Sequence, residues 1–121
     1  MKKIVLIEDD CDLYALLQYN LEKEGFQMTG SKSGKGAIEL CRAFGPDLIL
    51  LDIMLPQKNG FEVCQKIREN PAWNGIKVVM LTAKGRESEV TKGLALGADA
   101  YITKPFATRE LLATVQRLLG E

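Results

Sequence analysis

Leu48-Ile49-Leu50-Leu51-Asp52 sets four large apolar residues directly before one carboxylate. The run is short and bounded by Pro46 and Pro56, which suits a strand covered on both faces. Asp52 then stands where that strand leaves the core. The same punctuation recurs along the chain. Ile4-Val5-Leu6-Ile7 ends in Glu8-Asp9-Asp10, Val78-Val79-Met80-Leu81 ends in Thr82, and Ala100-Tyr101-Ile102 runs through Thr103 to Lys104-Pro105. If these strands are parallel, their polar ends share the carboxyl edge of one sheet, where open α/β sheets place ligands and chemistry.

Between the strands lie segments with helical period. Leu13, Leu16, Leu17 and Leu21 form one stripe, Ala37, Leu40, Cys41 and Phe44 a second, and Leu111, Leu112, Val115, Leu118 and Leu119 another. A helix from about Gly60 to Glu69 carries Val63, Cys64 and Ile67, and Asn70-Pro71 closes it. The segment from Glu87 to Leu96 offers mainly Val90 and Leu94 and contains Gly93, so it is expected to be the least stable helix. Ser33, Thr108 and either Asp10 or Asp12 are candidate N-caps, and Gly25, Gly45 and Gly120 sit where helices would end. Strand and helix alternate five times, with the second strand weakly marked around Gln27 to Gly30. Right-handed crossovers then put helices on both faces of a five-stranded parallel sheet in one domain, residues 1–121.

Composition narrows the chemistry. The 121 residues suffice for one core without staples. Sixteen basic and sixteen acidic residues balance, which argues against direct nucleic-acid binding by this domain. No stretch could span a membrane or serve as a secretory signal. Cys11, Cys41 and Cys64 are odd in number and widely spaced, as in a reducing cytoplasm, and Cys41 and Cys64 read as small buried hydrophobes. Cys11 lies beside the acidic cluster, which disfavours its thiolate and a nucleophilic role. The chain has no histidine, so any imidazole in its mechanism belongs to a partner.

Glu8, Asp9 and Asp52 would crowd negative charge at the strand ends, and a hard divalent cation resolves that conflict. Magnesium takes one or two carboxylates, waters and a phosphate, all of which this edge can offer. Lys104 adds a point charge and Thr82 a hydroxyl for phosphoryl oxygens. Asp52 is then the candidate nucleophile, forming an aspartyl phosphate. Taken singly, each residue has a plainer reading. A lone Asp after an apolar run is usually a turn or cap residue, and Glu8-Asp9-Asp10 alone would cap a helix and meet its dipole. Their arrival at one edge from four strand ends favours the chemical reading.

IVLIEDD, LILLDIMLPQKNG, VVMLTA and GADAYITKPF, in that order, closely resemble the receiver domain of bacterial two-component response regulators over essentially the whole chain. The resemblance implies a flavodoxin-like (βα)5 fold with strand order 2-1-3-4-5. It implies Glu8 and Asp9 as the acidic pair for Mg2+, joined by Asp52 and the Met54 backbone carbonyl, with Asp52 as phosphoacceptor. Thr82 and Lys104 match the phosphate-contacting pair, Thr82 and Tyr101 the switch residues, and Gly60 the position opening the third helix. It further implies a cis Lys104–Pro105 peptide, and a tuning role for Met54 and Lys84 in the lifetime of the acyl phosphate.

So read, the chain is a cytoplasmic switch rather than an enzyme, limited to self-catalysed phosphotransfer and autodephosphorylation. A histidine kinase or phosphotransfer protein supplies the phosphoryl group, and a downstream protein or fused output domain reads the fourth-helix face. Two other readings use the same residues: an aspartyl-phosphate phosphatase of the haloacid dehalogenase kind, and a receiver that binds partners without phosphorylation. The first would want a second Asp where Met54 stands, and the second usually lacks an acid, Thr or Lys that is present here. A flavin or nucleotide binder would want a glycine-rich first loop instead of Glu8-Asp9-Asp10. ITKPF also resembles receivers fused to winged-helix DNA-binding domains, which commonly dimerise through charged residues. Val90, Ala100 and Thr114 replace a basic, an acidic and a basic residue of that pattern, although Lys92 and Asp99 persist, which argues against the charge-paired dimer.

Overall fold

The computed structural model describes residues 2–55, 59–83 and 87–120. Pro56 and Lys84 lie outside the described residues. Strands β1 (Lys3–Ile7), β2 (Gln27–Ser31), β3 (Leu48–Asp52), β4 (Lys77–Ala83) and β5 (Ala100–Lys104) alternate with helices α1 (Cys11–Lys23), α2 (Ala37–Phe44), α3 (Gly60–Glu69), α4 (Glu87–Ala95) and α5 (Thr108–Leu119). All strand pairs are parallel, and the sheet order is β2-β1-β3-β4-β5. That is the doubly wound arrangement the alternation of elements implies.

Two-residue periodicity divides the strands between two cores. Val5, Ile7, Ile49, Leu51, Val78 and Met80 face α2 and α3 through Ala37, Cys41, Val63, Cys64 and Ile67. Ile4, Leu6, Leu48, Leu50, Val79, Leu81 and Ile102 face α1 and α5 through Leu17, Leu21, Leu111 and Val115. Every residue of β3 is buried, as its apolar run requires of a central parallel strand. Each fully buried aliphatic side chain contributes about 1.5–3 kcal/mol of burial. No helix among the described residues is long and apolar enough to cross a membrane.

The helix ends depart from expectation in two places. Asp10 caps α1, its Oδ1 accepting from the Asp12 and Leu13 amides at 3.0 and 3.1 Å. Gly25, Gly45 and Gly120 all take positive φ at helix ends, the conformation that favours glycine there. Ser33, however, caps only a short 3-10 turn, Gly34–Gly36, and Gly36 stands at the start of α2 with no side-chain cap. Thr108 is the first residue of α5 rather than its cap, because the Ala107 backbone occupies that position.

Two leucines of the expected stripes are also displaced. Leu17 and Leu21 are fully buried, but Leu16 is 47% exposed. The stripe of α1 is centred on Leu13, Tyr14, Leu17 and Leu21, and at about 100° per residue Leu16 falls to its solvent side. Leu94 of α4 is 46% exposed, while Gly93 is buried. There the helix rests on the sheet through its glycine, not its leucine. β2 reads weakly because Gly30 interrupts its apolar character: a Cβ there would overlap the Leu6 carbonyl and meet the Tyr14 hydroxyl at 2.5 Å. We expect Leu17→Ala to lower stability by about 3–5 kcal/mol and Leu16→Ala by under about 0.5 kcal/mol. Urea unfolding of the two variants checks this.

Candidate functional site

Register forces the acidic cluster together. Ile7 of β1 pairs with Leu51 of β3, so the next residues, Glu8 and Asp52, emerge side by side. Carboxylate oxygens of Glu8, Asp9 and Asp52 all lie within 4.8 Å of one another. Glu8 and Asp52 are buried while Asp9 is exposed. Thr82 reaches the same edge from β4, 3% exposed, and among the described residues its Oγ1 makes one long contact, of 3.5 Å, with the Ala83 carbonyl. Lys104 reaches it from the end of β5. Its Nζ lies 2.7 Å from Glu8 Oε1 and donates to Asp52 Oδ2 at 3.0 Å. The Lys104–Pro105 peptide is cis.

Backbone amides hold the acids in place. Glu8 Oε2 accepts from the Asp10 amide at 3.1 Å, and Asp52 Oδ1 accepts from the Met54 amide at 3.0 Å. Met54 itself is 56% exposed, and Tyr101, on β5, is 47% exposed. The expected acids, hydroxyl and ammonium therefore converge on one edge, while Tyr101 lies toward solvent.

Gly60 has a part in this edge that its place in the motif does not reveal. Its amide donates to the Ile53 carbonyl at 3.0 Å. A Cβ at Gly60 would stand 2.6 Å from the Asp52 carbonyl oxygen and 2.9 Å from Ile53 Cα. Glycine is thus what allows the start of α3 to close over the chain that leaves Asp52. Asn59 before it caps α3, its side chain accepting from the Glu62 amide.

Electrostatics explain why the site suits a cation. Burial pushes the Glu8 carboxyl from 4.5 up to about 7, against the lowering effect of Lys104 and the Asp10 amide, and the Asp52 charge adds to the rise. Burial would lower the Lys104 ammonium, but hydrogen bonds and charge from Glu8 and Asp52 raise it above its ordinary value. Glu8 Oε1 is fully buried, with the Lys104 ammonium 2.7 Å away. Three carboxylates whose oxygens lie within 4.8 Å of one another, two of them buried, are a donor set for a hard divalent ion. Cys41 and Cys64 are buried and their thiols are pushed up by burial, Cys41 to about 11, so both stay neutral thiols. Cys11 is exposed.

A doubly wound α/β domain carrying an acidic site at the carboxyl ends of its strands is thereby defined. Residues 4–116 match the family model of the response regulator receiver domain, and the chain belongs to that family. Such domains are signalling switches of two-component systems rather than ordinary enzymes. The chain is 44% identical over 119 residues to the phosphate regulon transcriptional regulatory protein PhoB of Rhizobium meliloti (strain 1021). That alignment covers 98% of this chain and 52% of the relative, so the chain spans about half the relative's length. Among solved structures it resembles the BeF3-activated N-terminal receiver domain of Klebsiella pneumoniae RstA, with TM-score 0.91 and 34% identity over 99% of this chain and 100% of that one. The chemotaxis response regulator CheY4 of Vibrio cholerae gives TM-score 0.91 and 25% identity over 98% of each chain.

The raised Glu8 carboxyl has a stability signature. The native state holds this proton more tightly than the unfolded chain, so Glu8's contribution is fully present below about pH 4.5 and lost as pH rises through about 7. In chelator, the urea midpoint should carry a falling component across that window, and Glu8→Gln should remove it.

Proposed function

We propose that this domain accepts a phosphoryl group on Asp52 from a partner's phosphohistidine and so changes the surface formed by α4, β5 and α5. The observation that supports this reading most is Lys104 Nζ set between Glu8 and Asp52, at 2.7 and 3.0 Å. Carboxylate, ammonium and hydroxyl thus meet at one end of the sheet. The chain contains no histidine, so the donor imidazole comes from another protein or domain.

Asp52 is the nucleophile. One of its oxygens forms the new O–P bond while the donor's N–P bond breaks, and the released imidazole nitrogen takes up a proton. The Met54 amide fixes the carboxylate's orientation. Lys104 is already charged and on the spot, ready to follow the incoming phosphoryl oxygens without a proton transfer. The Thr82 hydroxyl, weakly engaged at 3.5 Å, is free to turn toward one of those oxygens and donate to it.

Glu8, Asp9 and Asp52, with the Met54 carbonyl, would hold Mg2+. The ion supplies positive charge against the phosphoryl oxygens. With that charge present, Glu8 would be held in its ionised form.

Movement of Thr82 toward the phosphoryl group is the start of the switch, and Tyr101 on the neighbouring strand is the side chain best placed to follow it. The relative's description as a transcriptional regulatory protein supports a fused or separate output partner for this domain. The charge-paired dimer is further disfavoured, because the two remaining charges of that pattern are engaged within the molecule. Lys92 Nζ lies 4.6 Å from the centre of the Phe61 ring, and Asp99 pairs with Arg68 at 2.8 Å. Leu94 and Tyr101 are left as exposed apolar groups on that face.

With a small acyl phosphate donor and magnesium, intact mass should rise by one phosphoryl group in the wild type and stay unchanged in Asp52→Asn. Equal uptake by both proteins would sink the assignment. Magnesium alone should raise the melting temperature, in keeping with binding to the native state. Asp9→Ala should lose most of that shift, and retention of the full shift would remove Asp9 from the ligand set.

A further inference from the structure

Gly93 has no steric reason to be glycine. It lies inside α4 and is not among the glycines with positive φ, so its backbone conformation is open to any residue. A Cβ there would stand 3.6 Å from Met80 Cγ and 3.6 Å from Phe61 Cε1, ordinary contact distances with room for a methyl group. Gly30 and Gly60 differ, since a Cβ at either would strike backbone atoms. At Gly93 an alanine would raise helix propensity and add apolar contact with α3 and β4. Glycine instead weakens α4 by about four-fold in helix population relative to alanine.

That weakness sits beside a firm anchor. Just past α4, the Leu96 carbonyl receives Cys64 Sγ at 3.8 Å and the Gly97 carbonyl receives Arg68 Nε at 2.8 Å. Arg68 Nη2 also pairs with Asp99, whose Oδ2 accepts from the Val78 amide at 2.8 Å. The Ala98 amide closes back onto the Gly93 carbonyl at 3.0 Å. The C-terminal turn of α4 is therefore tied to α3 and β4. Upstream of Gly93, Val90 is half-buried, Thr91 and Lys92 are exposed, and the Lys92 ammonium lies over the Phe61 ring at 4.6 Å, so no fully buried apolar side chain anchors the described part of this stretch.

We propose that Gly93 is a built-in softening point: it sets how readily α4 rearranges about its pinned C-terminal turn, and hence how strong a signal at Asp52 must be to switch the domain. This inference rests on the phosphoacceptor reading above and adds to it the residue that sets the threshold.

Hydrogen exchange on the unmodified protein tests the first half without any phosphoryl chemistry. Gly93→Ala should slow exchange of the α4 amides by about four-fold, and Ala95→Gly, at an exposed position of the same helix, should speed it. Titration with beryllofluoride and magnesium, followed by amide shifts in α4 and β5, tests the second half. The midpoint for Gly93→Ala should rise about four-fold, the equivalent of one buried methyl group. Unslowed α4 exchange in Gly93→Ala would overturn the inference. So would an unchanged midpoint alongside a normal wild-type response. If α4 and β5 of the wild type did not respond at all, the reading of the site would fall, and the threshold role of Gly93 with it.

Discussion

Two carboxylates buried at the end of an apolar sheet, with the Lys104 ammonium between them, are the constraint around which the domain is arranged. Glu8 is fully buried and Asp52 nearly so, yet like charges so placed disfavour joint ionisation. Lys104 relieves part of the conflict, at 2.7 and 3.0 Å from the two acids. The remainder appears as the Glu8 carboxyl pushed up to about 7. Sheet order creates the problem and its partial answer together. β1 and β3 are neighbours, so their acids adjoin, and β5 lies beyond β4, so its lysine reaches across the Thr82 position to meet them. Among the described residues, three carboxylates meet one ammonium there, a donor set that fits a hard divalent cation.

The two faces of the sheet answer different demands. The face under α1 and α5 is filled by large buried side chains from both helices. On the other face, α2 and α3 contribute buried side chains, but α4 meets the sheet through Gly93. Its firmness comes from the end: Arg68, Asp99 and Cys64 fasten the turn after the helix. Local stability follows the density of buried apolar contact, and among the described residues α4 supplies none of the buried hydrophobic side chains of this face. Lys92 and Asp99, which resemble intermolecular contact residues in sequence, are engaged within the molecule on Phe61 and Arg68. The outward character of the face passes to Leu94 and Tyr101.

Much of this was open to reading along the chain. The apolar runs of β1, β3 and β4 specify buried parallel strands because they are short, continuous and stopped by polar residues. The glycines at positions 25, 45 and 120 mark helix ends because their positive φ disfavours other residues. The candidate site was legible because each group is the first polar residue after such a run or lies at the end of its strand. What misled was local pattern with more than one solution. Leu16 and Leu94 each fit a helical stripe on paper, and Thr108 fits a cap, but neighbours on the sheet and the Ala107 backbone chose otherwise.

By itself, then, the sequence determined the alternation of elements, the central strands, the convergence of Glu8, Asp9, Asp52, Thr82 and Lys104 on one edge, and the family. These rest on periodicity and on short-range polarity changes, which are written residue by residue. Only the tertiary structure decided that Lys104 sits between two particular carboxylates, that Gly60 must lack a side chain to close over Asp52, and that Gly93 need not. Those are distances between residues far apart in the chain, set by how strands register and helices dock, and no local pattern encodes them.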